Sequence, residues 1–186
     1  MSKSSTRTVA GVSLGWWSAC INADNGAARN ARARLRRAGT PSDVLACEVV
    51  HEFHHRLVDA DLRHETLSDE YALKLAAMAA TMAAIRENSK EPLAMKFGAV
   101  RGERRALSEL RFQKLLRAED HWKLSTALRR SLPIVGNAAN VSRLGEDLFF
   151  WGEKTRNRWC FQYYGTPIPQ VLKPESVTDD AEESLK

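Results

Sequence analysis

Apolar positions along this chain recur at three- and four-residue intervals, the spacing that puts them on one face of a helix. "GAARNARARLRRA" places Ala28, Ala31, Leu35 and Ala38 on one narrow stripe. Gly39-Thr40-Pro41 ends that helix, and Ser42 is a candidate cap for the next, which carries Val44, Leu45, Cys47 and the stretch "VVHEFHHRL". "LSDEYALKLAAMAATMAAIRE", rich in Ala, Leu and Met, predicts a long helix with Ser68 at its start. In "SELRFQKLLRA" the residues Phe112, Leu115 and Leu116 share a face, and in "HWKLSTALRRSLPIV" the ladder Leu124, Ala127, Leu128, Ser131, Leu132, Val135 runs up to a kink or stop at Pro133. After a loop over Gly136–Asn140, Leu144, Leu148, Trp151, Thr155 and Trp159 predict one long final helix, ended by Gly165 and Pro167.

No segment alternates apolar and polar residues over a strand's length, and no repeat of 20–50 residues is present. The expected fold is all-α: a helical bundle protein with two helical parts joined by a basic linker. Residues 9–97 form the first part. Gly98, Arg101, Gly102, Arg104 and Arg105 mark a linker over 98–106, 107–165 form the C-terminal bundle, and 166–186 an acidic, disordered tail.

Charge changes the picture. The net +5 is the sum of −3 over residues 167–186 and +8 over the rest, and a basic body with an acidic tail favours a polyanionic partner. Three separated cysteines, Cys20, Cys47 and Cys160, with no C-x-x-C, suit a reducing cytoplasm better than a disulfide frame or a zinc cluster. Lys3 and Arg7 ahead of "VAGVSLGWWSACI" imitate a signal peptide. Gly11, Ser13, Gly15 and Ser18 dilute that run, however, so export is not expected, nor is a membrane span.

Two chemistries compete. His51-Glu52-Phe53-His54-His55 satisfies H-E-x-x-H, in which two histidines four apart bind zinc and the glutamate polarises the metal-bound water. Val58 and Asp61 stand where the extended motif wants Gly and His, leaving Glu65, Glu70 or His64 as third ligand. Equally, these polar residues could be the wet face of a helix whose Val50, Phe53 and Leu57 point inward. The other chemistry belongs to arginine. On a helix Arg29, Arg32 and Arg36 fall within about 60° of one another, beside Arg37, and between Asp24 and Asp43 there is no acid to pair with them. Guanidinium rows of this kind follow a phosphate backbone. Arg111, Lys114 and Arg117, then Arg129 and Arg130, then Arg143, Lys154, Arg156 and Arg158, extend the pattern. The five tryptophans can be core residues or stacking platforms for bases.

The ordered blocks "GWW", "ARARLRRAGTP", "LSELRFQKLLRAE", "LSTALRRSLPIV" and "NVSRLGEDLFFWGEKTRNRWCFQYYG" resemble the CasB family, small subunits of the type I-E CRISPR surveillance complex, Cascade. The resemblance spans residues 12–165. It implies an all-helical, non-enzymatic, cytoplasmic subunit without cofactor or metal. Two copies would sit in the complex with the other Cascade subunits, the guide RNA and the target and non-target DNA strands, holding the displaced strand and stabilising the R-loop. By position, Arg36 and Arg37 match the family's L-R-R pair, Arg111 and Arg117 its R-F-x-x-L-L-R block, and Arg129 and Arg130 its second pair. Lys154, Arg156 and Arg158 match the basic stretch between its tryptophans. Arg29, Arg32, Lys114 and Arg143 come from the charge pattern alone. A zinc metallopeptidase and a free-standing helical nucleic-acid-binding regulator remain the alternatives.

Overall fold

A computed structural model describes residues 8–60 and 69–173. Ser68, His64, Glu65, Lys3, Arg7 and the tail beyond residue 173 lie outside the described residues. Helix α1 (Val9–Trp16) runs into a single π-helical turn, Trp17–Ile21. Then come α2 (Gly26–Arg37), α3 (Pro41–Leu45), α4 (Glu48–Asp59) and α5 (Asp69–Ala83). After α6 (Leu93–Gly98) a small hairpin pairs β2 (Val100–Arg101) with β3 (Arg104–Arg105). Helices α7 (Glu109–Leu116), α8 (His121–Ser131), α9 (Val141–Phe149) and α10 (Glu153–Tyr164) complete an all-helical fold. A two-residue parallel bridge, β1 (Glu87–Asn88) to β4 (Ala138–Ala139), ties the end of α5 to the loop before α9.

Helix α5 is buried from Lys74 to Ala83, and it contacts α2, α3, α4, α8 and α9. Apolar residues all round a helix mean burial on every side, and alanines let neighbours approach closely. Where polar groups intrude they are paired. Thr81 Oγ donates to Ser125 Oγ on α8 at 2.8 Å.

Three boundaries differ from the sequence expectation. Thr40, not Ser42, caps α3, in a capping box with Asp43 and with Pro41 in the first turn. A break at Ala46–Cys47 separates α3 from α4. The expected final helix is two, α9 and α10, broken at 150–152, where Thr155 Oγ donates to the Phe150 carbonyl and Gly152 is extended.

Residues 98–106 pack on the helices. A Cβ on Gly98 would lie 1.9 Å from the Tyr163 carbonyl oxygen, so only glycine lets α6 close against α10. Arg105 then donates to the Gly98 and Tyr163 carbonyls at 2.7 and 2.9 Å. Buried side chains from before and after this segment belong to one hydrophobic cluster, running from Val9 to Tyr163.

Two histidines make this packing sensitive to acid. Burial pushes the His54 imidazole below its ordinary value, aided by the His55 and His51 charges. Burial does the same for His121, aided by Lys74 and opposed by a Leu148 backbone bond, Glu70 and Asp120. His54 Nδ1 lies 3.0 Å from the Tyr71 hydroxyl, a phenol pushed up to about 12 by burial, and His121 Nε2 is buried without a hydrogen-bond partner among the described residues. Unfolded, both imidazoles take up a proton near pH 6.5; folded, only at lower pH. Between those values the unfolded chain holds more protons, so stability is full above about 6.5 and is lost as pH falls through the folded-state values. The melting temperature should therefore drop between pH 7.5 and pH 5, and His121→Gln should flatten that profile. A pH-independent melting temperature in the unsubstituted chain would contradict the assignment.

Candidate nucleic-acid interface

Asn25 caps α2, accepting from the Ala28 N–H at 2.8 Å, and the helical periodicity buries Ala28 and Leu35 while Arg29, Arg36 and Arg37 stand exposed. Arg32 is half-buried, and Arg29 pairs at 3.6 Å with the fully exposed Asp24, a contact of little energetic weight. Arg111 and Lys114 on α7, and Arg117 just after it, are exposed, as is Lys154 at the start of α10.

Tertiary packing joins two clusters that the sequence separates. Arg129 on α8 reaches the C-terminal end of α2, donating to the Arg36 carbonyl at 2.5 Å and to the Ala38 carbonyl at 3.2 and 3.3 Å. A cation there complements both the unpaired carbonyls and the negative end of the helix dipole. Burial, and then the Arg36 charge, push the Arg129 guanidinium below its ordinary value. The docking brings Arg36, Arg129 and Arg130 around one cavity of about 390 Å³ with Trp122 and Asn137, and no carboxylate is among its lining residues. Arg129 also lies 5.9 Å from the Trp122 ring centroid, at the outer limit of a cation–π contact.

The remaining basic residues point elsewhere. Arg158, 5% exposed, donates to Asp147 at 2.5 Å, and Arg143 pairs with Glu146 at 3.2 Å and Asp147 at 3.4 Å. Asp147 also accepts from the Trp159 indole at 2.7 Å. Burial pushes its carboxyl up, while Arg158, Arg143 and Trp159 pull it back. Arg158 ties α10 to α9 from inside, Arg143 braces the same aspartate within α9, and neither offers an open cationic face. Arg156 is half-buried, its Nε enclosed without a partner. Of the tryptophans, Trp16, Trp17 and Trp159 are buried, whereas Trp122 and Trp151 are partly open.

The sequence marks Trp122 only as one of five candidate stacking residues and does not single it out beside the arginines. Its signal was present, since 122, 126, 129 and 133 follow the i, i+4, i+7, i+11 spacing of one helix face. Asn137 carried no such signal, because only the fold brings it to the cavity.

The H-E-x-x-H residues are engaged otherwise. His51 Nε2 lies 2.8 Å from the Leu45 carbonyl, Glu52 accepts from Arg56 at 2.9 Å, and Val50, Phe53 and Leu57 are buried. Among the described residues no three His, Cys, Asp or Glu side chains are grouped to hold a metal ion. No described helix is long and apolar enough to cross a membrane.

The chain belongs to the family of CRISPR-associated protein Cse2, whose sequence pattern matches residues 31–164, from within α2 to the end of α10. It is thereby a subunit of the type I-E Cascade assembly in CRISPR defence, from a family that is structural and non-catalytic. No curated protein and no solved structure matches the chain.

Proposed function

We propose that the open basic residues, Arg36, Arg37, Arg130, Arg111, Lys114, Arg117 and Lys154, hold the phosphate backbone of the displaced non-target strand beside the guide RNA–target heteroduplex. The subunit so stabilises the R-loop, with two copies of the chain in each complex. The observation that supports this reading is the carboxylate-free arginine cluster made by Arg129 clamping the end of α2 to α8. Guanidiniums without carboxylate partners gain most from phosphate, and such contacts carry no base information. Sequence is then left to guide pairing, a division of labour that RNA-guided recognition uses elsewhere.

The salt dependence of R-loop stability tests it. In a reconstituted complex, log affinity should fall linearly with log salt, by about 0.7 per single-strand phosphate held, and the slope should not change when the displaced strand's sequence is scrambled. A complex lacking this subunit should show a shallower slope. Equal slopes with and without it would overturn the proposal.

A further inference from the structure

We propose that the cavity between the end of α2 and α8 seats one unpaired nucleotide of the displaced DNA strand, its base against the Trp122 indole and its phosphate on the Arg36 and Arg130 guanidiniums. The assignment rests on the interface proposed above and narrows it from a charged surface to one built pocket.

Three features of the cavity select this ligand. Its volume of about 390 Å³ is at the small end of ligand clefts, enough for one monomer unit and too small for a duplex. Its charge is one-sided. Arg129 is fixed by three hydrogen bonds to the Arg36 and Ala38 carbonyls, while Arg36 and Arg130 are exposed and have no partner among the described residues. Two unspent guanidiniums beside a third, half-buried and already bonded, ask for an anion with several oxygens. The third feature is aromatic: Trp122 lines the same space, and its indole N–H has no acceptor among the described residues. A π-face next to cations suits a nucleobase, whose stacking tolerates any sequence.

Asn137 adds an edge. It is the one non-glycine residue with positive φ among the described residues, at 57°. Its N–H donates to the Leu132 carbonyl at 2.9 Å and its carbonyl accepts from the Arg86 N–H at 2.8 Å, so the backbone is fully committed. Asn137 is among the cavity's lining residues, and its side-chain amide has no hydrogen-bond partner among the described residues. Left-handed backbone at a residue other than glycine costs energy, and it clusters where function holds a side chain in place. A paired base in a duplex hides its face in the stack and cannot enter; an unpaired one can.

Two measurements test the pocket. In the reconstituted complex bound to target DNA, photoreactive 5-iodouracil placed singly along the displaced strand should cross-link to the peptide bearing Trp122. Cross-links confined to other peptides overturn the proposal, and a Trp122 cross-link from iodouracil in the guide RNA instead overturns the DNA assignment. With the full chain alone, Trp122→Ala should weaken binding to oligothymidylate about tenfold, leave duplex of the same length unaffected, and be rescued by Trp122→Phe. Unchanged oligothymidylate binding, or equal loss on duplex, overturns the pocket while the wider basic interface stands. If the unsubstituted complex and chain hold neither form of DNA, both readings fall. The cross-link is read on the unsubstituted protein, so it decides the matter even where Trp122→Ala loosens α8.

Discussion

Asp147→Ala should destabilise the fold by about 3–5 kcal/mol, the usual cost of stranding buried charge by removing its partner. At 186 residues this corresponds to a fall in melting temperature of about 10 °C or more. Asp147 is 2% exposed and is the shared acceptor for Arg158, Arg143 and the Trp159 indole. Without it, Arg158 keeps only a 3.4 Å contact to the Leu172 carbonyl and Arg143 keeps Glu146. Asp147→Asn retains one oxygen and should recover part of the loss, whereas Glu146→Ala, at the half-buried edge of the network, should cost about 1 kcal/mol or less. Thermal and urea denaturation read all three. An Asp147→Ala protein that melts within a few degrees of the unsubstituted one would mean that the α9–α10 junction is held by its aromatic contacts, such as Trp151 against Trp159 at 5.1 Å, and not by this carboxylate.

Reversing three open cations, Arg111→Glu, Arg117→Glu and Arg130→Glu together, should cut R-loop affinity a few hundredfold at about 0.1 M salt. Each phosphate contact on a single strand releases about 0.7 counterion, so at that salt each is worth about a factor of five, and losing three lowers the salt slope by about 2.1. The glutamates then repel the strand further. All three side chains are exposed and make no hydrogen bond or ion pair among the described residues, so stability should change by no more than about 0.5 kcal/mol. Arg143 and Arg158 are left out of this variant because they hold Asp147, and their loss would confuse folding with binding. Dissociation of the displaced strand, followed in complexes carrying the variant, is the direct readout. An unchanged rate would remove these residues from the interface.

The stretch "VVHEFHHRL" shows how far a motif can be read without the fold. Its five-residue match was real, and so was its competing periodicity, with Val50, Phe53 and Leu57 at helical spacing. Burial of those three decided which face of α4 turned outward, and Arg56 and the Leu45 carbonyl then engaged Glu52 and His51. The final segment went the other way. Leu144 through Trp159 read as one continuous helix because the apolar spacing never lapses, yet the chain breaks at 150–152. The break redirects the chain, so that Arg158 and Trp159 on α10 reach an aspartate eleven and twelve residues earlier on α9. No local pattern announces that reach, since the gain comes from pairing across a turn.

The basic residues divide by the same logic. Local sequence marks every arginine as cationic and puts Arg29, Arg32 and Arg36 along one helix face, but an arginine bound for an internal aspartate is written like one bound for a phosphate. Helix content, the apolar stripes of α2, α7 and α8, the stop at Pro133 and the family blocks follow from short-range spacing, and the sequence alone determined them. Which cations stay open, which carbonyls Arg129 caps, and that Trp122 and Asn137 share a cavity with the end of α2 were decided only in the tertiary structure. These depend on contacts between residues up to 93 positions apart, formed when burial of α5 draws α2 and α8 onto it.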